Sequence, residues 1–362
     1  MKIGIACTNA ITVPVPENEV YANQEITGWI ADELVRRGYD VTLFAPLGSR
    51  TKAKLVTFDM LPFSDPEVYE RFRGDCSFLD YEQLFMAKIY KYAEDNRFDI
   101  LHMHLRPLSV VSFAALSSVP TLQTIHDPLD FPYFRMLELY REFAQVGLVS
   151  ISKSQRKALP QLRFFDNVYN GIDLSKWKFN GVGGEKFCWS GRVIREKGTH
   201  RAMEIAHKMN LKLQMGGFIY ESDRHNEKSY WNCRVRPLLD DDITLDYVPH
   251  QKLSDFYGNS RVFINTLDWE EPFGLVMIEA MACGTPVIAF NRGSVAEIVK
   301  DRVTGFVVEN EEEMMEAIKK IDLIKREDCR KHVEDNFSVE KMMDNYLAAY
   351  EKLISQNGNK RT

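Results

Sequence analysis

No C-x-x-C pair occurs anywhere in these 362 residues. The six cysteines (Cys7, Cys76, Cys188, Cys233, Cys283 and Cys329) are scattered, which reads as reduced thiols and neither a disulfide frame nor a zinc site. Basic residues are not in excess: 46 Lys and Arg stand against 52 Asp and Glu, for a net charge of −6. Nucleic acid is therefore not expected as a main partner. No window approaches the roughly 18 apolar residues of a membrane span. The start, Met1 to Cys7, is too short an apolar stretch for a signal peptide, and Pro14 and Pro16 follow it. A soluble, cytoplasmic chain is expected, at most peripheral to the cytoplasmic membrane face. Also missing are a G-x-G-x-x-G after a first strand and a G-x-x-x-x-G-K-[ST], which argues against a dinucleotide site and a P-loop.

What is present is a long alternation of strand and helix patterns. Ile3–Ala6, Val41–Ala45, Asp99–His104, Thr121–His126 and Gly147–Ile151 read as strands. Gln24–Arg37, Tyr81–Asn96, Leu108–Leu116 and Tyr133–Ala144 read as the helices between them. Residues 46–80 read as surface loops with one short strand. After a turn-rich stretch the alternation restarts near residue 168. Its strands are Phe187–Ser190, Leu211–Met215, Ile243–Leu245 and Val262–Asn265, and its helices Gly198–Met209 and Lys252–Asn259. Residues 220–231 read as polar loop or exposed helix. The expected fold is α/β: two Rossmann-like, doubly wound parallel-sheet domains. They span 1–167 and 168–341, a helix over about 342–356 crosses back to the first, and 357–362 is a frayed tail. A chain of this length suits two cores better than one.

The most informative stretch is Glu271-Pro-Phe-Gly-Leu-Val-Met-Ile-Glu279. A strand precedes it, so Glu271 lies on a loop and Glu279 about two turns into a helix. The free N–H groups at that helix start form an anion site between two carboxylates that seek hydroxyls. Phosphate beside sugar hydroxyls describes a sugar nucleotide. Arg192 and Lys197 follow a strand end with glycines on both sides, a spacing that suits a diphosphate clamp. Glu279 sits among residues that look buried, where an unpaired carboxylate is costly.

These segments, with Asn170–Asp173, Ser190–Arg192, Lys197-Gly198, Trp269–Val287, Gly293–Glu297 and Thr304–Phe306, resemble glycosyltransferase family 4 over nearly the whole chain. That family comprises retaining enzymes of GT-B architecture, with two such domains facing a central cleft. The resemblance implies that Glu271 faces the transferred sugar, that Glu279 bonds the ribose, and that the N–H groups of Phe273, Gly274 and Leu275 meet the diphosphate. It implies a role for His126 beside the anomeric centre. Catalytic residues are then Glu271, His126, Arg192 and Lys197, with Tyr21, Asn23 and Asp127 as candidates on the acceptor side. Relatives carry two glycines where Ala22-Asn23 stand, a departure that puts phosphate contact from this loop in question.

The implied donor is a nucleoside-diphosphate hexose, with uridine as the default base. The acceptor is a hydroxyl of a saccharide, glycolipid or small molecule, soluble or transiently membrane-bound. No cofactor or metal is expected. His102 and His104 are read as facing opposite sides of their strand, and Asp240–Asp242 as a solvated turn. Three alternatives stay open: a GT-B nucleotide-sugar epimerase, a phosphorylase, or an inactive sugar-nucleotide-binding module.

Overall fold

The computed structural model describes residues 1–17, 19, 21–74, 77–130, 132–140, 146–218 and 227–358. Its strands are β1 Lys2–Cys7, β2 Asp40–Phe44, β3 Lys54–Val56, β4 Ile100–His104, β5 Thr121–Ile125, β6 Val146–Ser150 and β7 Asp166–Asn167, then β8 Phe187–Arg192, β9 Leu213–Phe218, β10 Ile243–Asp246, β11 Val262–Asn265, β12 Val287–Phe290 and β13 Gly305–Val308. The helices are α1 Ala22–Arg36, α2 Pro66–Phe72, α3 Ser77–Asp95, α4 Pro107–Ala114, α5 Thr199–Met209 and α6 Glu227–Tyr230. They continue with α7 His250–Gly258, α8 Leu275–Ala282, α9 Val295–Ile298, α10 Glu311–Ile318, α11 Arg326–Asn336 and α12 Val339–Gly358.

The chain divides into two compact units, Met1–Gly171 with the segment from Val339 onward, and Ile172–Ser338. Each is built on a parallel sheet, of order β3-β2-β1-β4-β5-β6-β7 in the first and β10-β9-β8-β11-β12-β13 in the second. The α/β, doubly wound expectation holds for both. Helices cover both faces of such a sheet, so its central strands are buried on both sides. Accordingly β4, β5, β11 and β12 are buried at every position. In α1 the stripe Ile26, Ile30 and Leu34 is fully buried and Gly38, at φ 85°, ends the run. α12 belongs to the first unit, where Tyr350 Oη meets His102 Nδ1 at 2.7 Å.

Several boundaries differ from the sequence expectation. α2 lies within the stretch read as loops. Asp65 caps it, accepting from the N–H of Glu67 and Val68, and Pro66 opens it. Only Val68 is buried, so no apolar face betrayed it. α3 begins at Ser77, four residues early. Residues 132–140 are 3₁₀ helix, not α, and the rest of that predicted helix, 141–145, lies outside the described residues. So do most of the polar segment 220–231 and the end of the tail. α1 takes in Ala22 and Asn23, which form its first turn and not a loop. No helix among the described residues is long and apolar enough to cross a membrane.

His102 and His104 are corrected outright. Their rings lie 4.1 Å apart, centroid to centroid, on one face of β4. Side chains on a strand alternate with period two, so residues two apart share a face.

Candidate functional site

In the second unit the strand order reverses between β8 and β11, and the crevice at such a reversal, outside the carboxyl ends, is where open α/β sheets bind ligands. The loops leaving these two strands are 193–198 and 266–274. Gly198 has φ 65° and lies so close to the second loop that a Cβ would meet Thr266 O at 1.7 Å, so only glycine fits. Thr266 Oγ1 donates to Gly198 O at 2.8 Å, and Asp268 N to Glu196 O at 2.9 Å. A third segment holds the second loop from the other side. Ser294 N donates to Glu271 O at 2.9 Å, Ser294 Oγ to Phe273 O at 2.7 Å and Gly293 N to Glu270 Oε2 at 2.6 Å.

The side chains so placed are mostly charged. Glu271 is only 8% exposed; its Oε2 is ion-paired with Lys197 Nζ and accepts Trp269 Nε1–H at 3.0 Å. Lys197 Nζ also lies 4.5 Å from the centre of the Trp269 ring. Arg192 is the last residue of β8 rather than part of the following loop, is exposed, and has no side-chain partner among the described residues. Gly274, left-handed at φ 84°, is the N-cap of α8 and brings no side-chain cap. Met277 N–H turns back onto Gly274 O at 3.1 Å, while the N–H groups of Leu275 and Val276 have no acceptor inside the helix. Phe273 is buried, its ring edge-on to Phe337 at 6.0 Å.

Because α8 starts at Leu275, Glu279 is its fifth residue, one turn in and not two. It is 9% exposed, and Tyr257 Oη donates to its Oε2 at 3.2 Å. Burial pushes its pKa from 4.5 up to about 7. The folded protein thus holds this proton more tightly than the unfolded chain. The resulting stabilisation is full below the ordinary carboxylate range and is lost as pH rises through about 7. Glu279→Gln is expected to flatten that dependence, leaving the variant on the order of 3 kcal/mol more stable than the parent at pH 8. Urea denaturation at pH 5 and pH 8 checks this; parallel curves for the two proteins would contradict it.

The remaining candidates belong to the first unit. His126 follows β5, is half-buried, and its Nε2 meets His104 Nδ1 at 2.8 Å. Burial lowers its pKa to about 4. Asp127 is exposed, and its backbone O accepts Gln155 Nε2–H at 2.8 Å. Tyr21 is 38% exposed and precedes α1. Asn23 O accepts Thr27 Oγ1–H at 2.6 Å. In the second unit, Asp240–Asp242 form an exposed turn in which Asp240 Oδ1 accepts the N–H of Asp242 and Ile243. Among the described residues no group of three His, Cys, Asp or Glu side chains is placed to hold a metal ion.

The structure brings Arg192, Lys197, Glu271, Phe273, Gly274, Leu275 and Glu279 onto adjacent elements of one unit. It adds Trp269, Tyr257 and the Gly293-Ser294 turn, to which sequence reasoning gave no role. Trp269, two residues before Glu271, was a signal that could have been used. The contacts of Tyr257 and Ser294 cross 22 and 21 positions, beyond local pattern.

Residues 30–176 match the family described as Glycosyltransferase Family 4, and residues 175–337 that described as Glycosyl transferases group 1. Spore coat protein SA of Bacillus subtilis is 24% identical over 97% of this chain and 100% of its own length. Among solved structures, sucrose-phosphate synthase from Thermosynechococcus elongatus superposes with a TM-score of 0.74 at 18% identity, covering 98% of this chain and 99% of its own. HepE of Anabaena in complex with UDP-glucose does so with a TM-score of 0.68 at 16% identity, covering 98% and 100%.

Proposed function

This chain belongs to glycosyltransferase family 4 and is a glycosyltransferase of GT-B fold, and from that premise we propose that it transfers a hexose from a uridine-diphosphate sugar to a hydroxyl acceptor, with retention at the anomeric carbon. The observation that carries the reading is the Lys197–Glu271 pair beside the uncapped start of α8. A cation, a carboxylate and a row of backbone N–H groups are the three chemistries that a sugar diphosphate needs at one place. UDP-glucose in the similar HepE structure supports the choice of donor.

In this reading Arg192, Lys197 and the N–H groups of Phe273, Gly274 and Leu275 take the diphosphate. As the phosphate engages Lys197, the Glu271 carboxylate is released to accept from the sugar hydroxyls. Glu279 accepts from the ribose, which also favours its ionised form. The acceptor oxygen bonds to the anomeric carbon on the face from which the diphosphate departs, and the leaving phosphate oxygen takes the acceptor proton. We assign His126 the hydrogen-bonding role toward the sugar that the family resemblance implies, and Tyr21, Asn23 and Asp127 the binding of a saccharide, glycolipid or small-molecule acceptor. Arg192, Lys197 and the α8 N-terminus supply the positive charge the leaving group needs, so no metal is called for.

The test is incubation with UDP-glucose and a panel of hydroxyl acceptors, with the product followed by proton NMR. An α-linked glucoside is expected. A β-linked product would remove retention from the account. Epimerised donor without acceptor, or sugar 1-phosphate formed from inorganic phosphate, would replace it with another activity.

A further inference from the structure

Three histidines of the first unit lie in series. His102, at the inner end, is fixed through both ring nitrogens, Nδ1 to Tyr350 Oη at 2.7 Å and Nε2 to Thr124 Oγ1 at 2.8 Å. Tyr346 Oη meets the same Thr124 hydroxyl at 3.0 Å, so α12 braces the group twice. The His102 ring lies 4.1 Å from that of His104, which is 3% exposed, with the two ring planes tilted by 46°. His104 Nδ1 meets His126 Nε2 at 2.8 Å, with the rings within 29° of parallel. One of those two nitrogens carries the proton and the other accepts it.

The choice between them rests on the far nitrogen of His104. Its Nε2 is buried and has no hydrogen-bond partner among the described residues. A proton there would leave an N–H donor buried and unbonded, the rarer and costlier kind of orphan. With the proton on Nδ1, His104 donates to His126 Nε2. We propose that His104 is a positioning residue that fixes the tautomer of His126, leaving His126 with its proton on Nδ1 as a ready hydrogen-bond donor. Burial of all three rings holds them neutral at pH 7, which keeps the arrangement in place. A donor N–H is what a sugar hydroxyl or the oxygen of a departing phosphate can use; a bare ring nitrogen could only accept. This inference rests on the proposed role of His126 beside the reacting sugar.

Side-chain nitrogen–proton NMR on protein labelled at its 8 histidines tests it without reference to activity. His126 is expected to show a protonated Nδ1 and a bare Nε2; a proton on Nε2 overturns the proposal. Two variants extend the test. In His104→Asn the amide N–H occupies nearly the place of Nδ1–H, so the tautomer and kcat should be largely kept. In His104→Leu the donor is gone and nothing fixes the tautomer, so His126 should show exchange between its two neutral tautomers, and kcat should fall several-fold with the donor KM little changed. Equal behaviour of the two variants would mean a merely structural role and would sink the proposal. If neither variant folds, the spectrum of the parent protein still decides. If no transfer is found but His126 carries its proton on Nδ1, the functional reading fails and the tautomer assignment stands.

Discussion

Glu271→Ala is expected to lower sugar transfer about 10²–10³-fold or more, the cost typical of removing one preorganised polar group from a reacting centre. The prediction follows from where the carboxylate sits. It is 8% exposed, held by Trp269 Nε1–H and the Lys197 ammonium on a loop that Ser294 pins from behind. Water cannot readily replace a group in that position. The fold should survive, because Lys197 keeps its place over the Trp269 ring and its side chain is 19% exposed, enough to recover hydration. Glu271→Gln sharpens the result: it keeps the Trp269 hydrogen bond and the shape and removes only the charge. Turnover near that of the parent in the alanine variant, with an unchanged melting curve, would contradict the role given to this residue.

The largest effect on stability is expected at Arg326, in α11. Its guanidinium donates to Asn180 O at 2.7 Å, to Ser260 O, Gly258 O and Thr285 Oγ1 each at 2.9 Å, and more weakly to Cys283 O. One side chain thereby ties the segment entering β8, the end of α7 and the turn between α8 and β12. Arg326→Ala removes donors from several carbonyls that folding has taken from water, and about 3–5 kcal/mol of unfolding free energy should be lost. Lysine should rescue little, since an ammonium lacks the planar fork that reaches these acceptors together. Denaturant titration of the second unit's transition measures this. A shift under about 1 kcal/mol would mean the network is dispensable.

Much of this molecule was legible from local pattern. Several of the strands, β11 and β12 most clearly, are short apolar runs, and the parallel order of both sheets followed from the alternation with helices. The Glu271–Glu279 stretch and the Arg192–Lys197 spacing marked the candidate site because those charges interrupt otherwise apolar strand–helix sequence. What failed did so for identifiable reasons. α2 has a cap but only one buried residue, so the capping signal at Asp65-Pro66 was present and the periodic one was not. The depth of Glu279 depended on where α8 starts, which the left-handed Gly274 decides and counting from Glu271 could not. The placement of His102 and His104 was a misapplied period, and correcting it exposed the chain of histidines. Arg326 and Tyr257 act through contacts 22 to 146 residues away, which no window along the sequence can read.

The central claim is that Arg192, Lys197 and the start of α8 bind the diphosphate of a nucleotide sugar. Calorimetric titration with UDP tests it most directly, on the parent protein and on the Arg192→Ala/Lys197→Ala double variant. The account predicts that the parent binds and that the double variant binds about 100-fold more weakly, the loss expected for two charge-assisted contacts. Equal affinity in the two proteins would contradict it.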